Sequence, residues 1–223
     1  MKQLFVLILS LLFLGAFAQS GKNTASGNNF HEVTRELLRI NNEDQSIRFK
    51  YLDAFNTKSS QKKIDSLASL MKKTDSLNTL KVAEIIDKHG WLGPDEIGND
   101  ANFTLFLIVQ HAELKVQQKY LLLLRDAVKQ GRAAKKDLAY LEDRVALGEG
   151  RLQIYGTQVV PNLDEPEKGY VRPMIDPINV DTRRKEVGLE PLDDYIQQWG
   201  MKWDVKQYVK DLPELLELER IRN

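Results

Sequence analysis

The sequence predicts a mainly α protein: a single helical domain of about seven or eight helices with one small β-hairpin. Through most of residues 30–150, apolar residues recur at three- and four-residue intervals, the spacing of helices with one buried face. Two short β-like stretches, RLQIYGTQVVP and GYVRPMI, lie near 151–175 on either side of the turn-rich PNLDEPEK. A two-stranded hairpin is marginally stable alone, so we expect it to pack on the helices.

The first eighteen residues have the layout of a secretory signal peptide. Lys2 precedes an apolar run at 4–14, and the AFA stretch at 16–18 supplies an A-x-A cleavage site. The run is shorter than the roughly 20 apolar residues of a membrane-spanning helix. We therefore predict cleavage after Ala18, a periplasmic or secreted protein of bacterial type, and a flexible leader over 19–29. An uncleaved anchor helix is the alternative.

The absence of cysteine and the balance of charged residues exclude several classes of chemistry and partner. The chain has no cysteine, which excludes a lipid-anchored lipoprotein, disulfide bonds and thiol catalysis. It has 32 basic and 32 acidic residues, and removal of residues 1–18 leaves 31 basic residues, a formal charge of −1. Nucleic acids and anionic membranes select a basic excess, so we predict neither as a partner after signal cleavage. The predicted partner is a small molecule or an envelope protein.

Helical spacing recurs along the first half of the chain. It covers about 30–55, where NNEDQ is a candidate interruption, and resumes at 64–71 after the loop NTKSSQ. Asp75 is a candidate cap for a further helix that ends at Gly90. The glycine-rich GWLGPDEIG is predicted to be a loop around a buried Trp91.

The best-defined element is a central helix predicted over residues 101–130. Its apolar residues spread over most of its circumference, which is typical of a helix at the centre of a bundle. A shorter helix is predicted over 134–147, before the glycines at 148 and 150.

The C-terminal part is predicted to be helical as well. Asp181 is a candidate cap, Gly188 a stop, and Pro191 the first residue of the next helix. No linker divides the chain after the leader, so residues 30–223 are predicted to form one domain.

Two polar residues interrupt the apolar face of the central helix. Gln110 lies within about 20° of the centre of the apolar stripe, where an unsatisfied amide costs about 1–3 kcal/mol. His111 lies at the edge of the stripe and can act as a general base near neutral pH. The alternative is a packing histidine with one satisfied nitrogen.

Charged residues stand out at two further places. Asp143 and Arg144 are neighbours on the shorter helix, so they face different partners, and Arg144 is placed to reach another element or an anion. Arg183 and Arg184 lie near a predicted helix start, where cations oppose the helix dipole. That conflict favours a carboxylate or a bound anion beside one of them. Ion pairs between helices and solvated basic residues are the alternatives.

The stretch RLQIYGTQVVP carries four polar side chains around one glycine. In a regular strand, Gln153, Tyr155 and Thr157 share one face. A bulge at Gly156 would turn Tyr155, Thr157 and Gln158 together into a pocket. A hairpin with its polar face in solvent is the alternative.

The absence of known catalytic motifs sets several enzyme classes aside. The three histidines have no metal-ligand spacing, and HExxH, G-x-S-x-G and phosphate-binding glycine loops do not occur in the sequence. We therefore predict no metal site and no cofactor. A glycosidase-like pair of carboxylates stays open, because no spacing singles out a pair.

Six fragments follow one another along the chain in this order: EDQSIR, GWLGPDEIG, LIVQHAE, LAYLEDRV, LQIYGTQ and VDTRRKEVGL. Together they resemble an uncharacterised bacterial family of unknown function with the signature QHA … LxDR … QxYGTQ … DxRRxxxGL. The resemblance covers about residues 30–195 and leaves the segment after Trp199 outside it. Because that family has no assigned activity, the resemblance implies an architecture and one shared polar site rather than a reaction. The residues of the implied site are Gln110, His111, Asp143, Arg144, Gln153, Tyr155, Gln158, Arg183 and Arg184.

Two functions fit these observations. The first is an exported domain with a small polar or anionic ligand site between the hairpin and the helices, where Arg144, Arg183 or Arg184 would hold the anionic group. If that site is catalytic, His111 is the general base and the reaction is hydrolytic. The second is a non-enzymatic cell-envelope interaction protein, in which the same polar residues form a structural network.

Overall fold

The structure is a computed structural model that describes residues 30–162 and 164–222. The predicted signal peptide and leader, residues 1–29, lie outside the described residues. Within the described ranges the chain forms nine α-helices, three short 3-10 helices and one two-stranded antiparallel sheet. The predicted class, mainly α with one small hairpin, is confirmed.

The described chain divides into two compact units, which we call the first unit (30–133) and the second unit (134–222). The prediction of one domain over 30–223 stays a prediction. In the described ranges, no helix combines the length and the apolar character needed to cross a membrane.

Five helices make up the first unit. They are α1 (His31–Asn56), α2 (Gln61–His89), α3 (Pro94–Ile97), α4 (Asn99–His111) and α5 (Leu114–Lys129). The α1 and α2 helices pack on each other, and α4 packs on both. The α4 helix is apolar on most sides: the five consecutive residues 105–109 are each at most 2% exposed. It therefore takes the central place that the sequence predicted for the start of the 101–130 helix.

The break between α4 and α5 corrects the prediction of one helix over 101–130. Ala112 has extended backbone, and the chain starts a new helix at Leu114. The Gln117 side-chain amide donates hydrogen bonds to the carbonyls of Gln110 and Ala112, both at 2.9 Å. These carbonyls are left without helical partners at the break, so one glutamine satisfies both. The break places His111 at the last position of a helix.

Two other helix boundaries differ from the sequence prediction. The α1 helix continues through NNEDQ without interruption. The α2 helix continues through Asp75, which was predicted to be a cap. Asp75 is an interior residue whose side chain forms an ion pair with Arg48 of α1, so its carboxylate serves tertiary packing and not a helix start.

The second unit combines four helices with the hairpin. Its elements are α6 (Lys135–Gly148), β1 (Val159–Val160), β2 (Tyr170–Val171), α7 (Val180–Glu186), α8 (Leu192–Ile196) and α9 (Val205–Arg222). The strands pair antiparallel, with Val159 opposite Val171. Tyr208 of α9 fixes this hairpin: its hydroxyl donates to the Arg172 carbonyl at 3.0 Å and accepts from the Met174 amide at 2.9 Å.

The strand predicted over RLQIYGTQ, with or without a bulge at Gly156, does not form. Only Gln153 forms a β-bridge, to Met174, and the rest of the stretch is a loop. Gly156 has φ +70°, a left-handed conformation that glycine adopts without strain and that breaks a strand. We call residues 153–158 the YGTQ loop.

Candidate functional site

His111 and Asp44 form a pair in the first unit. The Nδ1 atom of His111 lies 3.1 Å from Oδ1 of Asp44, a residue of α1 that is 0% exposed. Burial by itself would raise the pKa of Asp44, but the hydrogen bonds and charges of His111 and Arg48 outweigh it and lower that pKa to about 2. Asp44 is therefore ionised at physiological pH and accepts a hydrogen bond from Nδ1–H of His111.

Arg48 holds this carboxylate in place. It follows Asp44 by one helical turn. Its Nε donates to Oδ2 of Asp44 and its Nη2 to Oδ1, both at 3.1 Å, which is a bidentate contact. Nη2 also forms an ion pair with Asp75 of α2. Arg48 is only 2% exposed, so its buried charge is balanced by carboxylates from two helices.

Asp75 completes a cluster with Asp44, Arg48 and His111, and its pKa is raised. Burial raises its pKa most, the charge of Arg48 lowers it and that of Asp44 raises it again, which gives a pKa of about 6. Its side chain is 13% exposed, so protons can reach it. Two carboxylates a few ångströms apart thus have separate roles: Asp44 stays ionised, and Asp75 exchanges a proton near pH 6.

The same residues offer three ligand atoms to a metal ion. One atom each of Asp44, Asp75 and His111 lies within 4.8 Å of the others. However, the Arg48 guanidinium already contacts both carboxylates, and a divalent ion there would meet a buried positive charge at close range. The arrangement therefore favours proton chemistry over metal binding.

Gln110 supports the helix end that carries His111. It is 0% exposed, and its backbone carbonyl accepts one of the two bonds from Gln117. This contact fixes the last turn of α4, and with it the position of the imidazole relative to Asp44. The structure thus places both predicted residues, Gln110 and His111, in the first unit.

Asp143 organises the YGTQ loop in the second unit. This α6 residue is 0% exposed. Its oxygens accept hydrogen bonds of 2.5–3.2 Å from the backbone amides of Ile154, Tyr155 and Thr157 and from the Thr157 hydroxyl. One carboxylate thus satisfies four donors, of which the two from Thr157 are buried and the amides of Ile154 and Tyr155 are partly buried.

The Gln153 side chain fixes the two ends of the same loop. It is 0% exposed, and its Nε2 donates to the carbonyls of Gln158 at 3.0 Å and Arg172 at 2.6 Å. Its Oε1 accepts from the Gln158 amide at 2.9 Å. The Gln158 side chain donates to the Thr157 hydroxyl at 3.1 Å.

Two arginines of α7 bind carbonyls of the loop. Arg183 donates from Nε to the Ile154 carbonyl at 2.8 Å, and Arg184 donates from Nη1 to the Tyr155 carbonyl at 2.8 Å. The α7 helix is seven residues long, so both arginines lie in its last turn and do not oppose its dipole. The predicted cap Asp181 instead accepts the Leu192 amide at 2.8 Å.

The YGTQ loop therefore has its amides bound by a carboxylate and its carbonyls bound by guanidinium groups. The structure brings together Asp143, Gln153, Gln158, Arg183 and Arg184 in one network within the second unit. Tyr155 joins it through backbone atoms, and Arg144 follows Asp143 on α6. That these residues bind a ligand stays a prediction.

Sequence reasoning missed three members of the His111 cluster: Asp44, Arg48 and Asp75. A signal was present for two of them, because Asp44 and Arg48 have the i, i+4 spacing of an ion pair on one helix face and lie in the EDQSIR fragment. Asp75 gave no such signal, since an aspartate before a helical pattern equally indicates a cap.

Comparison with known proteins identifies one related family. Residues 31–207 match a family described as "Family of unknown function (DUF6624)". The match extends past Trp199 into the first residues of α9, beyond the span of the resemblance seen in the sequence. No curated protein and no solved structure matches the chain.

Proposed function

The chain belongs to this family of unknown function, and we propose that it is an exported protein whose first unit carries an acid–base site for hydrolysis of a small polar substrate. One observation carries the proposal: the imidazole of His111 is held by the buried carboxylate of Asp44 at 3.1 Å. Many hydrolytic enzymes orient a general base in this way, with a carboxylate on one ring nitrogen.

Each residue of the cluster has a distinct role in this proposal. In this proposal Asp44 accepts a hydrogen bond from Nδ1–H of His111, so Nε2 is the ring atom that exchanges a proton with water or a substrate hydroxyl. Asp44 also stabilises the imidazolium that forms. Arg48 positions both carboxylates, and Asp75, with its pKa of about 6, supplies or accepts the second proton.

The experiment is a hydrolysis screen of the mature chain, residues 19–223, against chromogenic esters, amides, phosphoesters and glycosides. We expect turnover of one class that is lost in His111→Ala and falls by at least tenfold in Asp44→Asn, because the amide presents a donor in place of one acceptor oxygen. His31→Ala is the matched control, since His31 is exposed at the start of α1. Turnover that survives in His111→Ala would refute the assignment.

Export is part of the same proposal. It is supported by the basic residue, the short apolar run and the AFA site of residues 1–18. When the full chain is produced in a bacterial host, mass spectrometry of the exported fraction should find a mature protein that begins at Gln19. Recovery of a chain that begins at Met1 from the cytoplasm or the inner membrane would contradict export with cleavage.

A second candidate function rests on a different observation. The polar groups of the YGTQ loop satisfy one another and the backbone, which is what a structural network requires. This favours a non-enzymatic envelope interaction protein in which the loop fixes the shape of the second unit. The screen separates the two: no turnover of any class, together with early unfolding of Asp143→Ala, supports the interaction protein.

A further inference from the structure

Arg184 is a fully buried cation whose hydrogen bonds all go to carbonyl groups. It is 0% exposed; its Nη1 donates to the Tyr155 carbonyl at 2.8 Å and its Nε to the Glu190 carbonyl at 2.6 Å. In the part of the chain that the structure describes, its Nη2 has no hydrogen-bond partner. A buried guanidinium nitrogen without an acceptor is costly, so this atom points to an acceptor from outside the protein.

Arg184 also has no ion-pair partner among the described residues. Burial lowers its pKa, and the charges of Glu190 and Asp181 raise it by less, yet an arginine stays protonated. Among the described residues, no carboxylate lies within ion-pair distance of it. Arg48 shows what this chain does elsewhere: the same side chain, equally buried, lies between two carboxylates. Buried charges are normally paired, and at Arg184 the paired anion is the missing element.

The surroundings of Arg184 suit an anion. Its guanidinium lies 4.9 Å from the centre of the Tyr195 ring, and the Tyr140 ring meets Tyr195 edge-on at 6.1 Å. Arg144 follows Tyr140 by one turn on α6, on the same helix face, and its positive charge acts on Tyr195. Helices α6, α7 and α8 therefore bring Arg184 and two phenol rings together within the second unit, and the charge of Arg144 reaches the same tyrosine.

We propose that Arg184 and Arg144 bind a small oxyanion, the carboxylate or phosphate group of a ligand, beside Tyr140 and Tyr195. A planar guanidinium matches two oxygens of such a group, which a halide cannot offer. Because Arg184 also binds the Tyr155 carbonyl, the anion stabilises the YGTQ loop when it binds. This site is separate from the proposed acid–base site and does not depend on it.

The test uses the mature chain, residues 19–223, at constant ionic strength, with inorganic phosphate, acetate and chloride as probes. Thermal unfolding and isothermal titration calorimetry measure stabilisation and affinity. At a hundredfold excess over the dissociation constant, we expect phosphate or acetate to raise the melting temperature by about 5–10 °C. The two probes distinguish a phosphate site from a carboxylate site. A chloride shift of the same size, or no shift with any anion, overturns the proposal.

Three variants locate the binding. Arg184→Lys keeps the charge but loses the planar guanidinium group. We expect it to weaken binding of phosphate or acetate, whichever binds the wild type more tightly, at least tenfold. Arg144→Gln leaves both carbonyl bonds of Arg184 in place, so it tests the site even if the lysine variant does not fold. Arg151→Gln removes an exposed cation of the same unit and should bind like the wild type. Equal loss in Arg144→Gln and Arg151→Gln would mean general charge attraction and would overturn the site.

Discussion

Replacement of Asp143 by alanine tests how far the YGTQ loop depends on one carboxylate. The change leaves three backbone amides and one hydroxyl without their acceptor, all of them bound at 2.5–3.2 Å in the structure. Each buried donor left unsatisfied costs about 1–3 kcal/mol. Burial of the Asp143 carboxylate is itself unfavourable, which is why its pKa is raised. The alanine variant no longer buries this charge, and that offsets part of the loss. We therefore take the lower end, about 4 kcal/mol, which is a large part of the roughly 5–15 kcal/mol that stabilises a typical protein.

Urea unfolding followed by circular dichroism measures this loss, and the melting temperature should fall by about 8–16 °C. Glu217→Ala is the matched control, because it removes an exposed carboxylate from α9 of the same unit and breaks only a surface ion pair with Arg220; we expect little change. Amide exchange of Ile154, Tyr155 and Thr157 should become fast in Asp143→Ala. A loss of stability below about 1 kcal/mol would refute the reasoning, since the four donors would then have other acceptors.

Four further changes have expected outcomes. The pKa of Asp75 is about 6 in the folded protein and 3.8 in the unfolded chain, so its contribution to stability declines as the pH rises from 4 to 6. The melting temperature of Asp75→Asn, measured over this pH range, should not show that decline. A pH profile equal to that of the wild type would contradict the assignment. Tyr208→Phe leaves the buried amide of Met174 unpaired and should cost about 1–3 kcal/mol in urea unfolding. Tyr155→Phe should unfold like the wild type, because Tyr155 enters the network through its backbone; a cost as large as that of the Tyr208 variant would contradict this. Gly156→Ala forces φ +70° on alanine and brings its Cβ within 3.0 Å of the Met174 side chain, so we expect a loss of at least about 1 kcal/mol and faster exchange of the loop amides.

Helix positions were predictable from the sequence because they depend on periodic apolar residues. The start of the central helix is an example: residues 105–109 are apolar in a row, and all are buried. The end of that helix was not predictable. Neither glycine nor proline marks the break at Ala112, which depends on a Gln117 side chain that binds two carbonyls. A local pattern cannot report a contact of this kind.

The candidate sites show the same limit. His111 stood out because a histidine on an apolar stripe is unusual, but its partner Asp44 lies 67 residues away in the sequence. The polar residues of the YGTQ loop stood out by composition. Their roles depend on Gly156, because its positive φ gives a loop where a strand was predicted and turns the backbone amides toward Asp143. Residue types indicated which stretches of the sequence hold candidate site residues. Only the tertiary contacts showed which of their atoms form hydrogen bonds and ion pairs.

The contacts of the YGTQ loop also imply an order of folding. Asp143 and the amides that it binds are 11–14 residues apart, whereas the Tyr155 carbonyl and Arg184 are 29 apart. Short loops close at a lower entropic cost, so we expect the α6 end of the loop to form first and the arginines of α7 to join it afterwards. Pulse-labelled exchange during refolding should then protect the Thr157 amide before the α7 amides, and simultaneous protection would contradict this order. A substitution at Asp143 would slow refolding, and one at Arg184 would mainly speed unfolding.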